Sequence, residues 1–514
     1  MANVNMTEVY LLNVPLEHDY KNSLYFTDKA SQESYFKSKK IKQYTDFSYQ
    51  RKDNVIRVPD HIDTLWNCNY VMYQNKAYNN KWFYCFITDF KYINDGCTEV
   101  EIETDVIQTW LFDYNVKASF VEREHVSNDT LGANTVPEGL ELGEYKINRH
   151  TRANQLYNDL KLVVGSTIVP SDLIPSYGGQ YNGIYSGVQY YSYPASDMTK
   201  ALQQIVDRFE SSAISSLFYA PSFLITAPGG VVSESNEPQS FDYNFLKISS
   251  IDGYTPRNNK LLTYPYTYIM ASNGQGANAI YHQELFTLDD NGQCRFKVFG
   301  CLTPGCSIRL VPQYYKGTAS NVDEGINLGK YPQCNWATDM YTNWLTQNGV
   351  SIATSLVGSA IQIGGGAAML STPETAVAGY SGIASGVSGI ANALNEVHKA
   401  QMIPPQTYGN INCGDVTTSM KENTFHLYAM SIRSEFAAII DGYFDMFGYK
   451  VNKVKVPNKA HRSRWWYTKT IDVNIDGAIP NKDMDKIKEC YNKGITFWRN
   501  ASEIENYSLS NGIV

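Results

Sequence analysis

The sequence has no excess of positive charge. Its 514 residues include 43 Lys and Arg against 51 Asp and Glu, a formal net charge of −8 at pH 7. Proteins that hold nucleic acids draw much of their affinity from contacts between cations and phosphates, so this balance argues against a protein that grips DNA or RNA. We expect any DNA that the protein meets to pass without being held.

The sequence also lacks the short motifs that carry common catalytic and metal chemistries. It contains no H-E-x-x-H, no G-x-S-x-G and no Cys/His pairs at zinc-ligand spacing, and its eight histidines are scattered. We therefore expect a protein that is not an enzyme and that holds no metal or cofactor. Glycosidase-type carboxylate pairs meet in space rather than in sequence, so a hydrolase stays open as an alternative.

Two glycine clusters match nucleotide-binding loops only in part. Gly364-Gly365-Gly366 lacks the Gly-Lys-Ser/Thr that completes a phosphate loop. Gly274, Gly276 and Ala279 have G-x-G-x-x-A spacing, but a dinucleotide site needs a strand before this motif and a helix after it. The flanking segments are typical of hairpin strands, so we predict a turn and no nucleotide site.

Cysteine is present without the spacing of a disulfide or metal framework. The nine cysteines are odd in number and form no C-x-x-C pair. The N-terminus has no basic start followed by an apolar core, so no secretory signal is recognised. We expect mostly buried thiols in a protein that matures in a reducing cytoplasm.

Aromatic residues are abundant and favour β-structure. Thirty-nine Tyr and 13% aromatics suit pleated surfaces, and the chain is long enough for two to four packing units. Residues 65–106 alternate short apolar runs with turn signals, including Asn94-Asp95-Gly96, which predicts a β-meander. Residues 282–300 predict a hairpin that turns at Asn291-Gly292.

Helical spacing is confined to a few segments. Apolar residues recur with helical period over 430–447, where Gly448 ends the pattern. A second, shorter helix is predicted from a cap at Asn481 to Gly494. Strand-like segments lie between the two helices, so we expect an α+β, mainly β fold.

The last strand of the meander carries acidic residues along one predicted face. Side chains alternate with period two in a strand, which separates the apolar residues Val100, Ile102 and Val106 from the acidic residues Glu99, Glu101, Glu103 and Asp105. Four like charges in a row need water or counterions to screen them. The face is therefore either the solvated side of a sheet or a wall past which a polyanion slides.

A long segment is almost uncharged. Between Met340 and Asn395 the only charged residue is Glu374, which follows Pro373. These two residues divide the segment into arms at 350–372 and 376–394, each close to the ~20 residues that cross a ~30 Å hydrocarbon layer as a helix. A helical hairpin that enters a membrane is thus geometrically possible.

The composition of the arms favours close packing and weak insertion. Small residues recur at every fourth position, and Gly382 with Gly386 forms G-x-x-x-G. Gly and Ser stand where Leu would insert more strongly, so the segment is a poor permanent anchor. The predicted membrane-active residues are Ile352, Leu356, Val357, Ile361, Ile363, Gly364, Gly365, Gly366, Met369, Leu370, Pro373, Glu374, Val377, Gly382, Ile383, Gly386, Val387, Ile390 and Leu394.

Two other interpretations of this segment stay open. The first is a hairpin buried permanently in the core, because interior helices of a globular protein are also apolar all round. The second is a Gly/Ser linker, although linkers lack large apolar side chains such as those of Ile361, Met369 and Leu370.

Several long, aromatic-rich blocks resemble a known family. They are NVPLEHDYKNSLYFTDKASQESYF, MYQNKAYNNKWFYCFITDF, ETDVIQTWLFDYNVKASFVEREHV and, near the C-terminus, GYKVNKVKVPNKAHRSR, NKGITFWRN and NYSLSN. Together they are similar to the tail knob, or distal tail tube, proteins of small short-tailed bacteriophages of the Salasmaviridae type. The likeness covers residues 10 to 145 and 260 to 510 in order, while 150 to 250 match poorly.

The resemblance implies tube-type β-barrel or sheet domains that assemble as a homohexameric ring at the end of the tail and conduct double-stranded DNA. It implies that a hydrophobic loop, here from about Asp339 to Pro405, plugs the tube and later forms a pore in the host cytoplasmic membrane. The implied partners are further copies of the chain, an upstream tail or lower collar protein, a tail-tip protein, DNA in transit and the host membrane. The protein would be made in the host cytoplasm and reside in the virion tail.

With that family in view, the chain is expected to divide into five segments: an N-terminal β-rich tube domain (1–149), a variable middle domain (150–255), a β-rich segment (256–338), the hydrophobic loop (339–407) and a C-terminal α/β segment that packs with the tube domain (408–514). The acidic face would line the lumen, where like charge keeps DNA from adhering. A pore-forming toxin, or a tail-associated cell-wall hydrolase, is the alternative.

Overall fold

The chain folds into two compact units. Unit 1 comprises Met1–Gly143, Pro256–Leu261 and Ser434–Val514, and unit 2 comprises Glu144–Thr255 and Leu262–Arg433. The computed structural model describes residues 7–47, 54–75, 79–167, 180–181, 184–185, 188–194, 208–209, 214–225, 239–331, 333–335 and 423–514.

Strands dominate the described residues, which confirms the mainly β fold. The strands are β1 Thr7–Leu12, β2 Asn22–Leu24, β3 Lys40–Phe47, β4 Val55–Val58, β5 Tyr70–Asn75, β6 Lys81–Asn94, β7 Cys97–Thr104, β8 Tyr114–Val116, β9 Ser119–Glu124, β10 Tyr145–Arg152, β11 Leu160–Ser166, β12 Gln180–Tyr181, β13 Ile184–Tyr185, β14 Gln189–Pro194, β15 Ile214–Pro221, β16 Gln239–Asp242, β17 Phe245–Leu246, β18 Thr267–Ser272, β19 Asn278–Tyr281, β20 Gln293–Cys301, β21 Ser307–Tyr315, β22 Thr318–Ser320, β23 Ile326–Asn327, β24 Gln333–Asn335, β25 His426–Ile432, β26 Tyr449–Lys455, β27 Trp465–Ile471, β28 Ile475–Gly477 and β29 Ile495–Trp498. The α-helices of the described residues are α1 Lys29–Ser38, α2 Val106–Trp110, α3 Ser434–Phe447 and α4 Asn481–Lys493.

Unit 1 is built on two larger sheets. Six antiparallel strands follow the order β3-β1-β5-β6-β7-β4, and five strands follow the order β2-β29-β27-β9-β26, in which only the β2–β29 pair is parallel. The first sheet is buried on both faces: Val9 and Leu11 of β1 point into one core, and Tyr10 and Leu12 into the other. The second of these cores also contains Trp465 and Trp498 of the five-stranded sheet, so it joins segments from both ends of the chain.

Unit 2 has a single large core between several antiparallel sheets. Their orders are β10-β25-β18-β19, β14-β11-β15-β24 and β16-β20-β21-β22, with β17 added to β20 and β23 to β21. Buried residues from these sheets, such as Leu162, Phe296 and Leu427, belong to the same cluster. The strands on either side of the hydrophobic segment, β24 and β25, both lie in this unit.

The structure confirms most of the local predictions in the described residues. β5, β6 and β7 form the predicted meander, and Asn94 pairs with Cys97 across the predicted turn. Gly274 and Gly276, with φ of 69° and 97°, lie in a turn that joins the antiparallel strands β18 and β19. Cys68, Cys85, Cys97, Cys294, Cys301, Cys306 and Cys490 are free thiols, and five of these seven are buried.

Two predictions in this region are wrong. Residues 282–300 do not form one hairpin, because β20 pairs with β21 and with β16 and β17, while Gln283–Leu285 is a short 3-10 helix. The helix predicted over 430–447 begins only at Ser434, because the preceding residues form β25 in the middle of a sheet. Its predicted end is correct: Gly448 has φ 65°, and a Cβ there would lie 2.2 Å from the Glu124 carbonyl oxygen.

Candidate functional site

β7 alternates between buried apolar and partly exposed acidic side chains, as its period-two pattern predicts. Val100 and Ile102 are 0% and 5% exposed and lie in one of the cores of unit 1. Glu99, Glu101 and Glu103 lie on the opposite face of the strand. We call these three residues the β7 acidic row.

Every carboxylate of the β7 acidic row has a cationic partner. Arg57 of β4 lies opposite Glu99, and its Nε is 3.0 Å from a Glu99 carboxylate oxygen. Lys91 of β6 pairs with Glu101, and Lys486 of α4 pairs with Glu103. The row is therefore a ladder of ion pairs, and its three negative charges are balanced by three positive ones.

These ion pairs contribute little to stability. The Arg57 and Lys91 side chains are 69% and 51% exposed, and an exposed pair adds less than about 1 kcal/mol to the free energy of unfolding. The ion pairs matter instead for the charge of the surface, because each cation of the ladder has a carboxylate partner. A passing polyanion would meet cations that are already neutralised.

Asp105 does not belong to the acidic row, and the prediction of a four-carboxylate face is wrong for this residue. Asp105 is buried and caps α2, where its carboxylate accepts hydrogen bonds from the Gln108 backbone N–H (3.0 Å) and the Tyr70 hydroxyl (2.8 Å). Burial raises the pKa of Asp105 to about 6. The strand ends one residue earlier, at Thr104, and so does its alternation.

The cationic partners were missed in the sequence. Arg57 carries a usable signal, because it is the polar residue of the alternating segment VIRV, which is typical of a strand beside another half-buried strand. Lys486 carries none, since it lies in a helix far away in the chain and meets Glu103 only through the tertiary fold. Strand pairing, rather than composition, decides which carboxylates are compensated.

The hydrophobic segment is the other candidate site. The predicted membrane-active residues from Ile352 to Leu394, and the whole loop from Asp339 to Pro405, lie outside the described residues. On either side of it in the chain, β24 pairs with β15, and β25 lies between β10 and β18.

The described ranges contain no candidate membrane-spanning helix and no candidate metal site. No helix there is both long and apolar enough to cross a bilayer. Nor do three or more His, Cys, Asp or Glu side chains of these ranges come together in a way that suits a metal ion.

The chain is similar to known phage tail proteins. Residues 233–512 match the family model for the C-terminal domain of the tail knob protein gp9 of Bacillus phage phi29, and residues 5–115 match the N-terminal model of caudoviral major tail proteins. The tail knob protein gp9 of Bacillus phage PZA is 27% identical, and that of phage phi29 is 26% identical. Each alignment covers 98% of this chain and 97% of the relative.

A solved structure has the same fold. The tail knob protein gp12 of bacteriophage C1 superposes with a TM-score of 0.65 at 15% sequence identity, over 99% of this chain and all of the other. At this identity the likeness concerns the fold alone. The superposition covers nearly the whole chain, whereas the C-terminal family model covers only residues 233–512.

Proposed function

The chain belongs to the family of the tail knob protein gp9 of Bacillus phage phi29 and is a structural component of the virion tail, and from that premise we propose how it works. It forms a homohexameric ring that extends the tail tube and contacts an upstream tail or lower collar protein and a tail-tip protein. Double-stranded DNA passes through the ring. The hydrophobic segment plugs the tube before infection and penetrates the host cytoplasmic membrane afterwards.

The proposed DNA path rests on the charge ladder of β7. In a ring the row of Glu99, Glu101 and Glu103 would be repeated around the lumen. Arg57, Lys91 and Lys486 would face the phosphates already paired with carboxylates, so little counterion release would accompany contact with DNA. The net charge of −8 works in the same direction. DNA would therefore adhere weakly to the wall for two reasons: the cations of the wall are already paired with carboxylates, and the net negative charge of the chain repels the phosphates.

Replacing Glu99, Glu101 and Glu103 together by glutamine should convert the wall into a DNA-binding surface. The change removes the carboxylate partners of three cations, so we expect DNA to leave phage particles more slowly, and most slowly at low salt. Binding of a labelled duplex to the purified variant should show a log–log salt dependence steeper by about 2.7 per chain. Stopped-flow measurement of DNA release and a salt titration of duplex binding test the two effects.

A matched triple variant separates the lumen from the rest of the surface. Glu122, Glu489 and Glu503 also pair with cations in unit 1, and their replacement by glutamine changes the charge by the same amount. We expect particles with this control to release DNA at the wild-type rate. Equal slowing by both variants, or by neither, would contradict a lumen position for the β7 acidic row.

The proposed membrane function rests on one observation, which is the single charge between Met340 and Asn395. Two apolar arms of nearly bilayer-spanning length flank Pro373-Glu374, and their small residues allow close packing in a tube or in lipid. An ionised carboxylate near the hairpin tip opposes passage through hydrocarbon, and protonation removes that barrier.

Vesicle leakage should therefore depend on Glu374 and on pH. A peptide spanning both arms is expected to release a trapped dye faster at about pH 5 than at about pH 8, because a carboxyl group enters lipid more readily when it is protonated. The Glu374→Gln peptide should leak at both values like the wild type at the lower one. If the two peptides respond to pH alike, the carboxylate is not the toggle; if neither causes leakage, the membrane function itself is refuted.

A further inference from the structure

Unit 1 contains a cavity with aromatic walls that neither the tube nor the hydrophobic segment explains. Its volume is about 210 Å³, and it lies beside β8, β27 and β29 and the loop that follows β26. The walls include Tyr25, Tyr114, Trp466, Tyr491 and Phe497. Tyr25 and Trp466 meet edge to face, with ring centroids 4.9 Å apart, so the wall is a fixed surface of packed rings.

One cation and no acid face this space. Lys459, in the loop after β26, is the only charged residue among the described residues that line the cavity. No ionic or hydrogen-bond partner of its ammonium group is found within the described ranges. Neighbouring protein atoms partly dehydrate this group and lower its pKa. Lys459 is nevertheless an exposed residue, so its ammonium group can be reached by an anion that enters the cavity.

A second cation lies against the same aromatic wall. The Arg499 guanidinium is 5.7 Å from the centroid of the Tyr25 ring and 5.8 Å from that of Trp466. It is held in place because it donates hydrogen bonds to the Arg462 carbonyl oxygen (2.9 Å) and the Ala460 carbonyl oxygen (2.5 Å). A second fixed positive charge therefore lies close to two of the rings that line the cavity.

The cavity also offers neutral hydrogen-bonding groups. Tyr25 and Asn115 line it, and neither the Tyr25 hydroxyl nor the Asn115 side chain has a hydrogen-bond partner among the described residues. Sites for small molecules typically combine apolar walls with a few such polar groups that fix the orientation of the ligand. The volume is below the roughly 300–1,000 Å³ of drug-sized sites, so it suits one ring rather than a chain of rings.

We propose that this cavity binds a single sugar ring that carries a phosphate or carboxylate group. The aromatic walls pack against the C–H face of the ring, Tyr25 and Asn115 bond to its hydroxyl groups, and Lys459 pairs with the anionic substituent. A neutral sugar lacks the group that Lys459 requires, and inorganic phosphate lacks the body that the walls require.

Ligand-observed NMR and calorimetry on the full-length protein test the proposal with glucose 6-phosphate, glucuronate, glucose and inorganic phosphate as probes. The two anionic sugars are expected to bind with a dissociation constant of about 1 mM or below. Glucose should bind at least about tenfold more weakly because it lacks the charged hydrogen bond to Lys459. Inorganic phosphate should also bind at least about tenfold more weakly, because it has no apolar face to pack against the aromatic walls. The better of the two anionic sugars identifies the substituent.

Variants locate the binding. Lys459→Gln should weaken the anionic sugars about tenfold, whereas Lys459→Arg retains the charge and most of the affinity. Val456, which is 56% exposed and lines the cavity, tolerates Val456→Trp without a core change, and the larger side chain should block binding. Lys453→Gln, at an exposed position on the adjacent β26 and outside the lining, is the matched charge control and should bind like the wild type.

Three results would overturn the proposal. The first is the absence of binding by both anionic sugars at millimolar concentration. The second is glucose or inorganic phosphate binding as tightly as the anionic sugars. The third is wild-type affinity in folded Lys459→Gln and Val456→Trp proteins, with folding checked by thermal unfolding.

Discussion

Replacing Glu138 by glutamine is expected to lower the free energy of unfolding of unit 1 by about 3–5 kcal/mol. The Glu138 side chain is 0% exposed and pairs with Lys260, which is 2% exposed, and with Arg123, which is 9% exposed. It also accepts the backbone N–H of Lys450 at 2.9 Å. The variant would remove the carboxylate that pairs with two cations in the interior, which costs far more than the loss of a surface pair.

The pH dependence of this variant gives an independent check. Burial lowers the pKa of Lys260, and Glu138 opposes that shift. Without Glu138 the folded state holds the Lys260 proton still less firmly than the unfolded chain does, so stability rises with pH up to the pKa of the unfolded lysine, about 10.4. We expect the deficit of Glu138→Gln to shrink as the pH rises towards about 10.4.

Urea unfolding, followed by the tryptophan fluorescence that unit 1 dominates through Trp465, Trp466 and Trp498, measures the effect. Glu101→Gln is the matched control, because it makes the same charge change in an exposed pair and should cost less than about 1 kcal/mol. Lys260→Met in the Glu138→Gln background should recover part of the loss, since it removes one stranded cation. Equal costs for Glu138→Gln and Glu101→Gln would show that the buried pairing contributes no special stability.

Local patterns predicted the elements of this protein well where one face of a strand or helix is buried. β7 and α4 follow their periodicities, although α4 begins at Asn481 itself, after Pro480, so Asn481 is its first helical residue rather than its cap. The prediction of a helix failed at residues 430–433. β25 is buried along most of its length, and a continuous apolar run fits a helix as well as a strand.

Long-range pairing could not be predicted from local patterns. Pro256–Leu261 joins unit 1, although its neighbours on both sides in the chain belong to unit 2. The reason is chemical: the buried carboxylate of Asp441 accepts the backbone N–H groups of Arg257 (2.8 Å) and Asn258 (3.1 Å), and Glu138 pairs with Lys260. The same limit applies to the β7 acidic row, where the sequence shows the carboxylates and only the fold shows their cations.

A buried histidine should make unit 1 sensitive to acid. His125 accepts the Tyr467 backbone N–H at Nδ1 (2.8 Å), and its Nε2 donates to the Asp445 carbonyl oxygen (3.1 Å), so both ring nitrogens are used by the neutral form. Burial, with a smaller effect of Arg462, lowers the pKa of His125 to about 3. Protonation in the folded state would lose the Tyr467 contact and place a charge in the interior.

The sign of the pH effect follows from which state binds the proton. Between about pH 6.5 and pH 3 the unfolded chain protonates this histidine and the folded unit does not, so stability falls as pH falls, by about 1.4 kcal/mol per pH unit. His461, whose pKa burial lowers to about 4, acts in the same direction. Asp105 acts in the opposite direction, because its raised pKa of about 6 lets the folded state take up a proton first. The total slope therefore hides the contribution of His125.

The variant His125→Gln isolates that contribution. We expect it to be less stable than the wild type at about pH 7, because a packed, doubly bonded ring is lost. Between pH 6.5 and pH 4.5 it should lose about 2.3 kcal/mol less than the wild type. His18→Gln, at an exposed position of the same unit, should leave the acid dependence unchanged. The prediction would be contradicted if the free energies of unfolding of His125→Gln and the wild type fell in parallel from pH 7 to pH 4.5. In that case the folded unit would accept a proton at His125 as readily as the unfolded chain does, and the fold would not depend on the neutral ring.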